Sequence, residues 1–86
     1  MEVVEIKPNN QLIFKIPNGL TTKFRIGNLT LRSVCIYIVT LHPHIISFNT
    51  KYTIIDAFQE TEITAMLHWS QEVNCQFKSK IRVYIW

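Results

Sequence analysis

Few residues of this chain have the types and spacing that do chemistry. His42 and His44 flank Pro43, an i, i+2 pair that needs further ligands before it can hold a metal. Glu60 and Glu62 stand two apart in an alternating segment. Two carboxylates that close can divide acid and base roles, but a solvated strand face is the commoner setting for such a pair. Asp56 falls in a turn, where an aspartate bonds nearby backbone amides. No Ser or Cys has a His and an Asp that spacing assigns to it, so nucleophilic catalysis has no support. With only Gly19 and Gly27 in the chain, there is no glycine-rich phosphate loop. Cys35 and Cys75 form neither a metal spacing nor a disulfide framework and read as free thiols. The expectation is a non-enzyme without metal or cofactor. A net charge of +3 permits nucleic-acid contact, but the basic residues are spread along the chain rather than set in a dense stripe. No nucleic-acid partner is expected.

The elements that position these residues follow from length and pattern. Eighty-six residues, 48% hydrophobic and 17% charged, suffice for one core, so residues 1–86 read as a single domain. The longest apolar run, Val34 to Val39, is far short of the roughly 18–20 residues of a membrane span, so no transmembrane segment is expected. Glu2, Glu5 and Lys7 break the N-terminus before an apolar stretch forms, which argues against a signal peptide and for an intracellular protein.

Helical periodicity is absent, and period-2 alternation recurs with many β-branched and aromatic residues. Strands are expected at 3–6, 11–15, 22–27, 34–41, 45–49, 52–55, 60–68 and 78–86. Lys7-Pro8-Asn9-Asn10, the Ile16-Pro17-Asn18-Gly19 break, a loop over 28–33 and a long loop over 69–77 separate some of them. Some seven short strands with turn signals and no intervening helix indicate an antiparallel β-sandwich.

Facing then identifies a candidate surface. Val34, Ile36 and Ile38 share the core face of their strand, which leaves Cys35, Tyr37, Val39 and Leu41 on the other. A surface strand normally shows polar residues there. The last strand turns Lys80, Arg82, Tyr84 and Trp86 outward and Ile81, Val83 and Ile85 inward. If the two strands share a sheet, one patch results, built from the residue types enriched at binding hot spots.

The order of these pieces resembles the major sperm protein (MSP) domain family, which includes the vesicle-associated membrane protein-associated proteins, or VAPs. Val4-Glu5-Ile6-Lys7-Pro8 is similar to the family's opening strand, and Gln11-Leu12-Ile13-Phe14-Lys15 to its L-x-F segment. Lys23 to Thr30 resembles its strand ending in N-P-S/T, with Leu29 for the proline. Arg32 to Pro43 resembles its V-x-F-K-V-K-T-T-x-P strand, with Tyr37 and Val39 for the two lysines, Thr40 retained and Leu41 for a threonine. Ile54-Ile55-Asp56, Ile63 to Leu67 and Lys78-Ser79-Lys80 are similar to its later segments, and Arg82 keeps a basic position of the final strand. The resemblance implies a seven-stranded immunoglobulin-like antiparallel sandwich and a non-enzymatic protein–protein interaction module. It implies a partner-binding face of Tyr37, Val39, Thr40, Leu41, Lys80, Arg82 and Tyr84, and a protein or short acidic, FFAT-like peptide as partner. It further implies a cytoplasmic location, at the cytosolic face of the endoplasmic reticulum. The alternative implied is a structural, cytoskeletal protein that self-associates into dimers or filaments.

Overall fold

The computed structural model describes residues 3–16, 19–69 and 75–86. Along them run eight strands: β1 (Val4–Lys7), β2 (Gln11–Ile16), β3 (Thr21–Asn28), β4 (Val34–Thr40), β5 (Ile46–Phe48), β6 (Tyr52–Ile55), β7 (Glu60–Leu67) and β8 (Cys75–Ile85). No helix among them is long and apolar enough to cross a membrane. The count is eight rather than seven, because the short β5 and β6 both form ladders. Residues 17–18 of the expected break and residues 70–74 of the expected loop lie outside the described residues.

Two four-stranded antiparallel sheets result, in the orders β1-β3-β7-β5 and β2-β8-β4-β6. Alternation assigns their faces. In β3, Phe24 and Ile26 are buried while Lys23 and Arg25 are exposed; in β7, Ile63, Ala65 and Leu67 are buried while Glu62 and Met66 are exposed. In the second sheet, Leu12 and Phe14 of β2, Val34, Ile36 and Ile38 of β4, Ile55 of β6 and Ile81 of β8 are buried. These residues form one core cluster between the sheets, a sandwich-like all-β fold. Phe14, Ile26, Ile36, Ile38, Ile63, Leu67 and Ile81 are almost wholly buried, each worth roughly 1.5–3 kcal/mol of transfer free energy.

One polar residue ties the sheets together at their end. Asn28, 2% exposed, donates through Nδ2 to the carbonyls of Arg32 (2.7 Å) and Ile55 (3.0 Å), and its Oδ1 accepts from Thr30 N (2.9 Å) and Thr30 Oγ1 (2.7 Å). It thereby joins β3 to the end of β6 and fixes the loop after it. The expected loop at 28–33 is thus an anchored connection, and Asn28 belongs to β3.

Candidate binding surface

Partners across an antiparallel ladder point their side chains to the same face. In the second sheet, Val39 of β4 pairs with Arg82 of β8, and Tyr37 with Tyr84. On the other side of β4, Tyr37 pairs with Tyr52 and Cys35 with Ile54. The Trp86 amide donates to the Cys35 carbonyl at 3.1 Å, so Trp86 closes the same row. The outer face at this end is therefore aromatic and aliphatic. Tyr37 and Tyr52 stack with ring centroids 4.6 Å apart and planes 11° apart. Trp86 meets both edge-on, at 6.3 Å and 5.9 Å, and Tyr84 lies 6.5 Å from Tyr37. Such pairings add to the burial of each ring and hold the cluster in one arrangement. The adjacent Tyr37 phenol, with some loss of hydration, raises the Tyr52 phenol above its ordinary value. A shallow groove of about 410 Å³ runs along the edge, lined by Cys35, Tyr52, Ile54 and Trp86.

The other half of the same face is basic. Lys78 pairs with Ile13, Lys80 with Gln11 and Gln76 with Lys15, all directed outward. With Arg82 these lysines form a run of cations, and no ion pair to a described carboxylate engages any of them. The outer face of the first sheet is the reverse. There Lys7 Nζ lies 2.8 Å from Glu60, Lys23 3.7 Å from Glu62, and Arg25 3.7 Å from Glu60 and 3.9 Å from Glu62. The hydrogen bond from Lys7, then its charge, holds the Glu60 carboxyl below its ordinary value. The Glu60 and Glu62 carboxylates are thus engaged in pairs with cations.

Of the residues the sequence assigns to the surface, Tyr37 and Val39 are half-buried and outward, while Lys80, Arg82 and Tyr84 are exposed on the same face. Leu41 lies just past the end of β4 and is 63% exposed. Thr40 is a correction. It belongs to the inward row of Val34, Ile36 and Ile38, and its Oγ1 lies 3.0 Å from the buried Ser79 Oγ, so it does not share the Tyr37 face. β8 also begins at Cys75 rather than Lys78, so 75–77 are strand and not loop. Sequence reasoning misses Tyr52, Ile54, Ile13 and Lys15 as members of this face. Their signal is present in the alternation of β6 and β2, but only the register shows which strands flank β4 and β8.

The residues with chemical potential are otherwise employed. His42 Nδ1 sits 2.8 Å from Ser79 Oγ, and its ring packs edge-on against Phe77. Ser79 is 3% exposed, so this Ser–His contact closes a buried hydrogen-bond chain with Thr40 and presents no accessible nucleophile. His68 bonds Ser47 Oγ at 2.7 Å on the first sheet. Asp56 lies in the turn before β7, where its carbonyl accepts from the Gln59 amide, but its carboxylate accepts from Ser33 Oγ at 3.1 Å rather than from a nearby backbone amide. Cys35 and Cys75 are both free thiols. Among the described residues, no group of three or more His, Cys, Asp or Glu stands where it could hold a metal ion.

No family model matches the chain, and neither a curated protein nor a solved structure matches it.

Proposed function

We propose that the chain is a non-enzymatic protein–protein interaction module of MSP/VAP type, an immunoglobulin-like sandwich whose second-sheet outer face takes a short acidic peptide. One observation carries this reading: Arg82 adjoins an exposed row of Tyr84, Tyr52, Ile54 and Trp86, and Lys80, Lys78 and Lys15 continue from it along the same face, none of the four with a described carboxylate partner. Cations without a described carboxylate partner, running up to an apolar cluster, favour a ligand with an acidic stretch and an apolar anchor. The cations steer the encounter and set orientation; burial of the rings supplies most of the affinity. Tyr37 and Val39 stand where the family has lysines, which shifts the balance further toward apolar contact. The reading carries with it a protein partner rather than nucleic acid, and a cytoplasmic location at the cytosolic face of the endoplasmic reticulum.

Calorimetric titration with a ten-residue peptide rich in Glu and containing two Phe tests the reading. Arg82→Glu and Tyr37→Ala should each weaken binding at least tenfold; unchanged affinity in both, with the fold intact, removes it.

A second reading, self-association as a structural protein, is favoured by β6. Tyr52 and Ile54 are 62% and 66% exposed on an edge strand that contains no charged residue, and charge is how edge strands usually avoid pairing. Sedimentation that depends on concentration without peptide supports self-association over peptide binding.

A further inference from the structure

β8 is paired on its two sides over different halves. β2 covers Cys75 to Lys80, whereas β4 covers Ile81 to Ile85. The β2 side of the C-terminal half of β8 therefore has no strand among the described residues. The hydrogen-bond alternation says which backbone groups are left there. The Trp86 amide bonds Cys35 of β4, so Arg82 and Tyr84, in phase with it, also turn their amides and carbonyls to β4. Ile81, in the opposite phase, gives its amide to the Asn10 carbonyl on the β2 side, at 2.9 Å. Val83 and Ile85 share the phase of Ile81 and point the same way, past the start of β2, where no described strand meets them.

Side-chain burial agrees with the backbone. Along the inward row of β8, Ile81 is 1% exposed, Val83 is half-buried against the core and Ile85 is 42% exposed. The core is sealed where β2 lies and opens where it stops. The free edges of β1 and β2 carry Glu5, Lys7 and Lys15, and β5 has only three residues, which blunts each of them. The edge at Val83 and Ile85 has inward-facing aliphatics, with Arg82 as the one charge beside it.

We infer that this half-edge is a docking slot for an extended segment of a partner chain, added as a strand in line with β2. The inference rests on the peptide-binding reading above and adds its mode. The occupant's inward positions are apolar, because they complete the cover over Val83 and Ile85. Its outward positions are acidic, because they stand next to Arg82, which forms no ion pair with a described carboxylate. Backbone hydrogen bonds give affinity in such strand addition, and the alternate side chains give specificity.

The test uses an acetylated octapeptide of alternating valine and glutamate. Hydrogen exchange should slow at least tenfold at the Val83 and Ile85 amides on saturation, while Arg82 and Tyr84, already bonded to β4, should not change. N-methylation of one alternate set of the peptide's residues should weaken binding at least tenfold, and of the other set less than twofold, because only one set faces the edge. Ile85→Pro removes a free amide without breaking a β4 bond, so it should keep the fold and lose the peptide. A peptide that binds equally in all methylated forms, leaves Val83 and Ile85 exchange unchanged, yet is lost in Tyr37→Ala, lies on the face instead. That result overturns the slot and spares the peptide reading. No binding of either this peptide or the Phe-containing acidic one overturns both. Equal binding of an alternating valine–lysine peptide overturns the acidic chemistry of the occupant. Protection of the same two amides by the protein's own dimerisation overturns the partner chain in favour of another copy of this chain.

Discussion

The two outer faces of this sandwich carry similar numbers of cations and put them to opposite uses. On the first sheet Lys7, Lys23 and Arg25 each find Glu60 or Glu62, so charge is neutralised within the face. On the other sheet, Lys15, Lys78, Lys80 and Arg82 stand without described carboxylates, beside a cluster of three tyrosines and a tryptophan. A net charge of +3 spread evenly would mean little; concentrated on one face, it gives the molecule a side that attracts anions. The Glu60 and Glu62 face is complete in itself. The Arg82 face leaves its cations without described carboxylate partners, and the proposed peptide site rests on that difference.

The contrast breaks most visibly in binding. Tyr37→Ala combined with Tyr52→Ala removes the stacked pair, and affinity for the acidic, Phe-containing peptide should fall about a hundredfold, the scale of a hot-spot cluster. Lys23→Ala combined with Glu62→Ala, the matched change on the first sheet, should leave affinity within about twofold. Calorimetry reads both.

Asn28→Ala tests what holds the two sheets in register at their shared end. It removes the Asn28 donor from the buried Ile55 carbonyl and one of the two donors to the Arg32 carbonyl, so urea unfolding should show a loss of about 1–3 kcal/mol. A loss below about 0.5 kcal/mol would mean that water satisfies these groups equally well.

The turn that delivers β7 to the first face contains a strained residue. Phe58 has φ of 58°, in the left-handed region, and is 61% exposed. Relief of that strain outweighs the extra chain entropy of glycine, so Phe58→Gly should stabilise by roughly 0.5–1 kcal/mol, read as a higher urea midpoint.

The smallest effect belongs to the exposed Lys7–Glu60 pair. The Glu60 carboxyl is held below its ordinary value of 4.5, so its contribution is complete above that pH and fades as pH falls through the lower folded value. The Lys7 ammonium is raised above 10.5 by the same bond, so its contribution is complete below that pH and fades as pH rises further. Glu60→Gln should flatten both limbs of a stability–pH profile slightly. In about 1 M salt, where screening reaches roughly 3 Å, wild type and variant should converge.

Much of this architecture is legible in the residues. Alternation in β3, β4 and β7 yields both the strands and their inward faces, because Phe24 and Ile26, Val34, Ile36 and Ile38, and Ile63, Ala65 and Leu67 recur at period two. The outward Tyr37 and Val39 follow by subtraction. What escapes is non-local. β6 is four residues long, and nothing in Tyr52-Thr53-Ile54-Ile55 says that it flanks β4 and stacks Tyr52 on Tyr37. Thr40 joins the face only by resemblance to a motif, whereas its phase with Val34, Ile36 and Ile38 sends it inward to Ser79. Ser79 itself hides the start of β8, since a polar residue on the core face interrupts the apolar period. Asn28 reads as a loop residue because asparagine usually is one; only tertiary structure supplies the carbonyls that bury it.

Matched charge reversals on the two faces distinguish a peptide surface from a response to total charge. Arg82→Glu and Arg25→Glu make the same change in net charge on opposite faces. Calorimetric titration with the acidic, Phe-containing peptide should show at least a tenfold loss for Arg82→Glu and less than a twofold loss for Arg25→Glu. Equal losses in the two variants would mean that the peptide responds to total charge rather than to a built surface, and would contradict the account.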